Sequence, residues 1–260
     1  MKKELDQFEV EFAKAMSSPI APVDELLRYV AGVQGKRLRP TLVFLAAKLL
    51  GEINDATRRT ALFVELVHTA TLIHDDVVDG SDTRRGQAAV NARWNNITAV
   101  LCGDHLLSKA MLVLSDPADH RILVEMLQAA LAMSEGELMQ NAAPVIARTA
   151  WRDEAIHHYL DIINRKTARL IQACCVGGAL SVGASEDQVR RIGEFGLNLG
   201  LVFQMRDDIL DADDPQQVEL AKSLLPEYQE RCQRILDGFP ASDTLEELRS
   251  LVAFCAERNQ

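Results

Sequence analysis

Apolar residues recur along the whole chain at helical spacing, in stretches closed off by glycine, proline and polar capping residues. Alternating runs of β-branched residues, the mark of half-buried strands, do not occur, and aromatics make up only 5% of the chain. The pattern predicts helices near 3–17, 22–33, 39–51, 55–80, 92–115, 117–140, 153–163, 167–182, 185–212, 216–237 and 243–258. Ser18–Pro19, Gly35, Gly51, Gly80, Asp116–Pro117, Pro144 and Gly238 supply the breaks. Ser185 followed by Glu186 and Asp187 reads as an N-cap with acids in the first turn, and Asp153 and Glu154 serve similarly after Trp151. No linker, low-complexity tract or fixed-period repeat interrupts the pattern. The expected fold class is all-α: one domain over residues 1–260, a bundle of about ten or more helices.

Composition removes several functional classes. A net charge of −10 argues against a general nucleic-acid binder, which needs a basic face. The five cysteines are scattered without zinc-ligand spacing, so reduced, buried thiols in a cytoplasmic protein are expected. Adjacent Cys174 and Cys175 admit a redox reading, but small buried residues fit them better. The start, MKKELDQFEVEFAKAM, is amphipathic and lacks a signal-peptide core, and no apolar run is long enough to span a membrane.

The stretch LIHDDVVDGSDTRRG, residues 72–86, sets acids and arginines at the end of an apolar helix. At about 100° per residue, Asp75 and Asp79 share a sector with His68 and Leu72, and Asp76 lies about 60–100° from them. Carboxylates at a helix C-terminus oppose the macrodipole, and a cation would repair that. Hard oxygen donors of this kind suit Mg²⁺. FQMRDDILDADD, residues 203–214, repeats the spacing with Asp207, Asp208 and Asp211, and Gln204 stands one turn earlier. One such cluster alone is as well explained by a solvated face. Two copies, each ending a long apolar helix, favour a paired metal site.

Basic residues supply the opposite charge. GKRLRP places Lys36, Arg37 and Arg39 at a helix start, where they also oppose the dipole, so a bound anion would account for them. Arg84 and Arg85 follow the first acid cluster, and the planar guanidinium fork suits diphosphate oxygens. Ordinary surface ion pairs remain the competing explanation for each basic stretch by itself. His68 and Lys166–Thr167 are ambiguous alone. Acids for metals and bases for phosphates, set around apolar helices, point to an apolar diphosphate ester.

With these elements in hand, the sequence resembles the trans-isoprenyl diphosphate synthases of the polyprenyl synthetase family. GKRLRP, DDVVD with DTRRG, KT at 166–167 and QMRDDILD occur in the family's order over roughly residues 30–212. The resemblance implies the isoprenoid synthase fold, helices around a central apolar cavity. It implies Mg²⁺, with three ions per site once substrate is bound, held by Asp75, Asp76 and Asp79 and by Asp207, Asp208 and Asp211. It implies that Arg84 and Lys166 contact an allylic diphosphate. Lys36, Arg39, His68 and Arg85 would bind isopentenyl diphosphate, with Arg37 beside them, and Thr167 and Gln204 would position the substrates. A homodimer is expected, with loose membrane association through the hydrophobic product.

The implied chemistry is a 1'-4 condensation. Metals and cations stabilise departing diphosphate, isopentenyl diphosphate attacks the allylic cation, and released diphosphate takes the proton. Chain length is expected to follow pocket depth below Asp75, where Ala70 and Thr71 are small. That favours a long all-trans product of roughly C30 to C40 made from farnesyl diphosphate. A farnesyl- or geranylgeranyl-length product is the alternative if deeper residues form a floor.

The family pattern continues after the second acid cluster through a lysine-bearing loop and further helices. This chain reads DADDPQQVELAKSLLPEYQERC, and Lys222 lies in what looks like an amphipathic helix. Either a mobile segment near 211–217 is missing from this sequence or the chain is shortened there. The second possibility admits a non-catalytic prenyltransferase-like subunit. A class I terpene synthase is disfavoured because a second diphosphate needs its own cationic site.

Overall fold

A computed structural model describes residues 1–32, 35–142, 152–212 and 214–258. Its helices are α1 (Lys2–Ala15), α2 (Ala21–Ala31), α3 (Leu38–Leu50), α4 (Asp55–Val78), the short α5 (Val90–Arg93), α6 (Asn96–Val113), α7 (His120–Ala142), α8 (Arg152–Ile163), α9 (Arg169–Ser181), α10 (Glu186–Asp211), α11 (Pro215–Leu236) and α12 (Asp243–Glu257). The expected break Pro144 and Trp151 lie outside the described residues.

Capping chemistry sets the ends of the two long helices that carry the acids. Asn54 accepts from the Thr57 N–H at 3.1 Å while the Thr57 hydroxyl accepts from the Asn54 N–H at 3.2 Å, closing a capping box on α4. Ser185 and Gln188 make the same box on α10, with Glu186 and Asp187 in the first turn as predicted. Each helix then runs unbroken for more than twenty residues, α4 for 24 and α10 for 26. This carries each acid cluster far from its cap.

The core is organised around α9. Leu170, Ile171, Ala173, Cys174, Cys175, Val176, Gly177, Gly178 and Ala179 are all buried. A helix buried this continuously must be surrounded, and α3, α4, α7 and α10 pack against it. All five cysteines are free and buried. Burial pushes the Cys174 thiol up to about 12, which removes thiolate chemistry at neutral pH.

Three local features differ from the sequence expectation. The helix expected over 92–115 is broken at Asn95, whose side chain accepts from the Thr98 N–H at 2.8 Å and caps α6. The gap expected between 163 and 167 is instead a π-helical turn, Asn164–Ala168, joining α8 to α9. A two-stranded antiparallel hairpin, β1 (Thr83–Arg84) and β2 (Gln87–Ala88), follows α4. Strands of two residues are too short to leave a period-two signature. Among the described residues, no helix is long and apolar enough to cross a membrane.

Candidate active site

The hairpin fixes the first acid cluster. Its loop is Arg85–Gly86, with φ of 50° and 79°, and a two-residue loop of this kind needs positive φ at both positions. Arg85 therefore holds a backbone conformation that favours glycine, and its side chain is thrown across the preceding motif. The guanidinium lies so close to Gly35 that a Cβ there would meet Arg85 Nη1 at 2.6 Å. Arg84, one residue earlier, donates to Asp76 Oδ1 through Nε at 2.9 Å and also through Nη2. Asn91 closes the end of α4, donating to the carbonyls of Asp76 at 3.3 Å and Ser81 at 3.0 Å.

The three acids of α4 consequently differ. Asp76 is buried and committed to Arg84. Asp79 is the exposed C-cap residue. Asp75, about 100° around the helix from Asp76, is half-buried on the side toward Glu137 and Lys166. Burial, reinforced by Glu137 and Asp79 and opposed by Lys166 and Arg84, raises its carboxyl to about 6. Lys166 pairs with Glu137 at 2.8 Å and donates to Gln140 Oε1 at 2.9 Å. It reaches them because α7 and the π-turn approach closely: a Cβ on Gly136 would meet the Lys166 backbone nitrogen at 2.6 Å.

At the end of α10, Asp208 accepts from Tyr159 at 2.6 Å and from Gln204 Nε2 at 2.9 Å. The Gln204 carbonyl in turn accepts from the Thr167 hydroxyl at 2.6 Å, so a relay fixes the amide orientation. Asp207 is gripped by the Arg258 guanidinium. Burial raises both carboxyls, Asp207 against the pull of Arg258 and Asp208 against its two donors. Asp211 closes the helix, exposed.

The basic residues cluster between these acids. Arg39 is lowered by burial, and its Nε has no partner. It lies within electrostatic reach of Arg85, Glu65 and Asp207. His68 is lowered well below its ordinary value by burial and by Arg39, Arg85 and Arg84, so it is neutral at pH 7. Lys36 sits 5.6 Å from the centre of the Phe254 ring. Arg37, expected beside the substrate-binding cations, has another attachment: it pairs with Glu9 and Glu65, each at 2.7 Å, and stacks on Phe12 at 4.4 Å. A cavity of about 60 Å³ adjoins this cluster, with Tyr29, Leu72 and Ile73 on its apolar wall and His68, Asp76, Arg84 and Arg85 on its polar one.

The two acid clusters belong to one electrostatic unit, because Lys166 acts on both Asp75 and Asp208. Arg39 likewise links Arg85 with Asp207. Among the described residues, no three His, Cys, Asp or Glu side chains gather into a ready-made metal cage. The donor set nevertheless fits a hard divalent ion. Asp75, Asp207 and Asp208 are partly desolvated oxygen donors whose carboxyls burial raises, and Mg²⁺ completes its shell from water and phosphate oxygens. Half-buried Arg39, with its Nε unpartnered, is the matching half for an anion.

Sequence reasoning missed Glu137, Gln140, Tyr159, Asn91 and Arg258. Glu137 and Gln140 stand one helical turn apart, a readable spacing that an ordinary solvated helix also shows. Asn91 acts over 10 to 15 residues with no pattern to mark it, and Tyr159 and Arg258 act across about 50. Thr71, expected to line the tail pocket, is half-buried and donates to the His68 carbonyl at 2.9 Å, and Ala70 is fully buried. Lys222 is exposed on α11, which follows α10 after Ala212–Asp214.

The chain is similar to known proteins in sequence and in fold. The family model described as Polyprenyl synthetase matches residues 21–226. The chain is 36% identical to heptaprenyl diphosphate synthase component 2 of Geobacillus stearothermophilus over 81% of its own length and 64% of that protein. It is 34% identical to the octaprenyl diphosphate synthase of Escherichia coli over 75% of its length and 59% of that protein. The matches thus span about six tenths of these curated relatives. A crystal structure of a polyprenyl synthase from Caulobacter crescentus, complexed with calcium and isoprenyl diphosphate, superposes with a TM-score of 0.89 at 28% identity, covering 100% of this chain and 96% of that one. This family is generally Mg²⁺-dependent. From the motifs, the fold and these matches together, the chain belongs to the polyprenyl synthetase family.

Proposed function

We propose that this protein is a prenyltransferase that adds isopentenyl diphosphate to an allylic primer, farnesyl diphosphate, and builds a long all-trans polyprenyl diphosphate. The observation that carries the reading is that partly desolvated acids of both clusters, Asp75 and Asp208, lie within electrostatic reach of Lys166, with half-buried Arg39 and its unpartnered Nε among the neighbouring basic residues.

In this reading Asp75 and Asp79 hold Mg²⁺ from α4, and Asp207, Asp208 and Asp211 hold it from α10, three ions in all. When bound, the metal neutralises charge on departing diphosphate. Arg84 and Lys166 grip the allylic diphosphate. Asp76 aims Arg84 through Oδ1, which leaves its Oδ2 to join the metal ligands. Lys36, Arg39 and Arg85 bind the diphosphate of isopentenyl diphosphate, and neutral His68 donates a hydrogen bond without adding to the crowded positive charge. Arg37 braces the start of α3 against Glu9 and Glu65. Thr167 and Gln204 keep Asp208 oriented, and the apolar wall beside His68 excludes water that would quench an allylic cation. No protein base is needed, because released diphosphate accepts the proton.

The relatives' heptaprenyl and octaprenyl names support a long product of roughly C30 to C40, and so do the small residues below Asp75. Exposed apolar residues line one side of α6 (Ile97, Leu101, Leu112) and of α7 (Leu131, Leu138), a surface that suits a second copy in a homodimer. The component 2 name of one relative supports a second reading, in which this face receives a different subunit. We place the protein in the cytoplasm, meeting the membrane only through its product.

Purified protein incubated with Mg²⁺, farnesyl diphosphate and labelled isopentenyl diphosphate should yield a ladder ending beyond geranylgeranyl length after dephosphorylation. No incorporation with any allylic primer would defeat the synthase reading. A ladder ending at farnesyl or geranylgeranyl length would defeat only the long-chain assignment.

A further inference from the structure

The last turn of α12 reaches into the site from a direction that neither acid cluster announces. Arg258 is only 10% exposed, and its Nη2 donates both to Asp207 Oδ1 and, at 3.2 Å, to the Phe203 carbonyl. Its guanidinium lies 4.1 Å from the centre of the Phe203 ring, and its own carbonyl accepts from Arg206 Nε at 2.8 Å. One turn earlier on α12, Phe254 sits over Lys36. A single helix end therefore touches both the second acid cluster and the basic start of α3.

We propose that Arg258 is an exchangeable counter-ion for Asp207, occupying the carboxylate until a divalent cation takes its place. Asp207 is half-buried, with Asp208 and Asp211 adding like charge, so it needs a positive partner whenever no metal is bound. A divalent cation on this carboxylate is repelled by a guanidinium bonded to the same oxygen, so the two compete for Asp207. The stack on Phe203 and the bond to its carbonyl give Arg258 a seat to keep after it lets Asp207 go, so release does not strand a buried charge. Arg258 is thus a positioning residue that sets how readily the α10 cluster accepts metal. This rests on the reading of Asp207–Asp211 as metal ligands.

The test is Mn²⁺ binding without substrates, followed by calorimetry and by the loss of the free-ion paramagnetic resonance signal. Arg258→Gln should bind Mn²⁺ roughly fivefold more tightly than the unaltered protein. Arg258→Lys, which keeps the charge but loses the fork, should fall between them and serves if the first variant folds poorly. The gain should vanish in Asp207→Asn. Equal or weaker binding by both Arg258 variants overturns the proposal, as does the absence of Mn²⁺ binding by any of the proteins. The metal-ligand reading itself fails only if Mn²⁺ also stays unbound when inorganic diphosphate is present.

Discussion

The two acid clusters share one spacing but are held by opposite means. On α4, the counter-charge comes from nearby: Arg84 reaches back across a tight hairpin to Asp76. On α10, only Gln204 is local, one turn before Asp208; Tyr159 comes from α8, Thr167 reaches Gln204 from the α8–α9 junction, and Arg258 comes from the end of α12. The first cluster keeps one acid, Asp75, short of positive charge, while the second has all but its exposed last acid engaged. Equal spacing in sequence therefore does not mean equal readiness for metal. The α4 cluster is poised by unrelieved desolvation and the α10 cluster by a cation that must leave.

The largest effect expected is the loss of turnover when either cluster is opened. Asp75→Ala and Asp207→Ala should each lower the rate on the order of 10²–10³-fold, measured as incorporation of labelled isopentenyl diphosphate. Near-normal rates in one of them would break the symmetry of the paired site. Next comes Arg84→Ala, which strands buried Asp76. Because Arg84 is itself a third exposed, the cost should be about 2 kcal/mol in urea unfolding, between exposed and fully buried ion pairs. The matching change at the second cluster, Tyr159→Phe, should cost less, about 1 kcal/mol, because one neutral donor is lost and Gln204 remains.

Asp75 sharpens the contrast through pH. Its folded value is raised to about 6 from the model-peptide 3.8, so protonation favours the metal-free fold. That contribution is fully present below about 3.8 and is lost as pH rises through about 6. Asp75→Asn, which removes the charge, should stabilise the metal-free protein at pH 7 by about 1 kcal/mol after allowance for solvent screening. The gain should disappear near pH 4, as read by thermal melts across that range. A gain independent of pH would show that Asp75 carries no unrelieved charge.

Much of the fold was legible because helices announce themselves locally. Ser185 marks a helix start by residue type, and α9 declares its central place by the unbroken run of small and apolar residues over 173–179. Within the site, Asp75, Asp76, Arg84 and Arg85 could be grouped because a few residues separate them. The wheel also separated Asp76 from Asp75, which the structure realises as opposite commitments. What stayed hidden depends on distant packing. No pattern near Arg258 says that α12 ends against Asp207, and none near Arg37 says that Glu9 and Glu65 take its charge. At the α8–α9 junction the expected gap is a π-turn, which no residue pattern marks.

The central claim is that the acids of α4 and α10 hold metal on one shared diphosphate. It is tested most directly by crystals grown with Mn²⁺ and a non-ionisable allylic thiodiphosphate, with anomalous maps calculated at the manganese edge. The account predicts manganese peaks coordinated by Asp75 or Asp79 and by Asp207 or Asp208, bridged by the same diphosphate, with Arg258 off Asp207. Manganese confined to one helix, or a diphosphate bound away from both clusters, would contradict it.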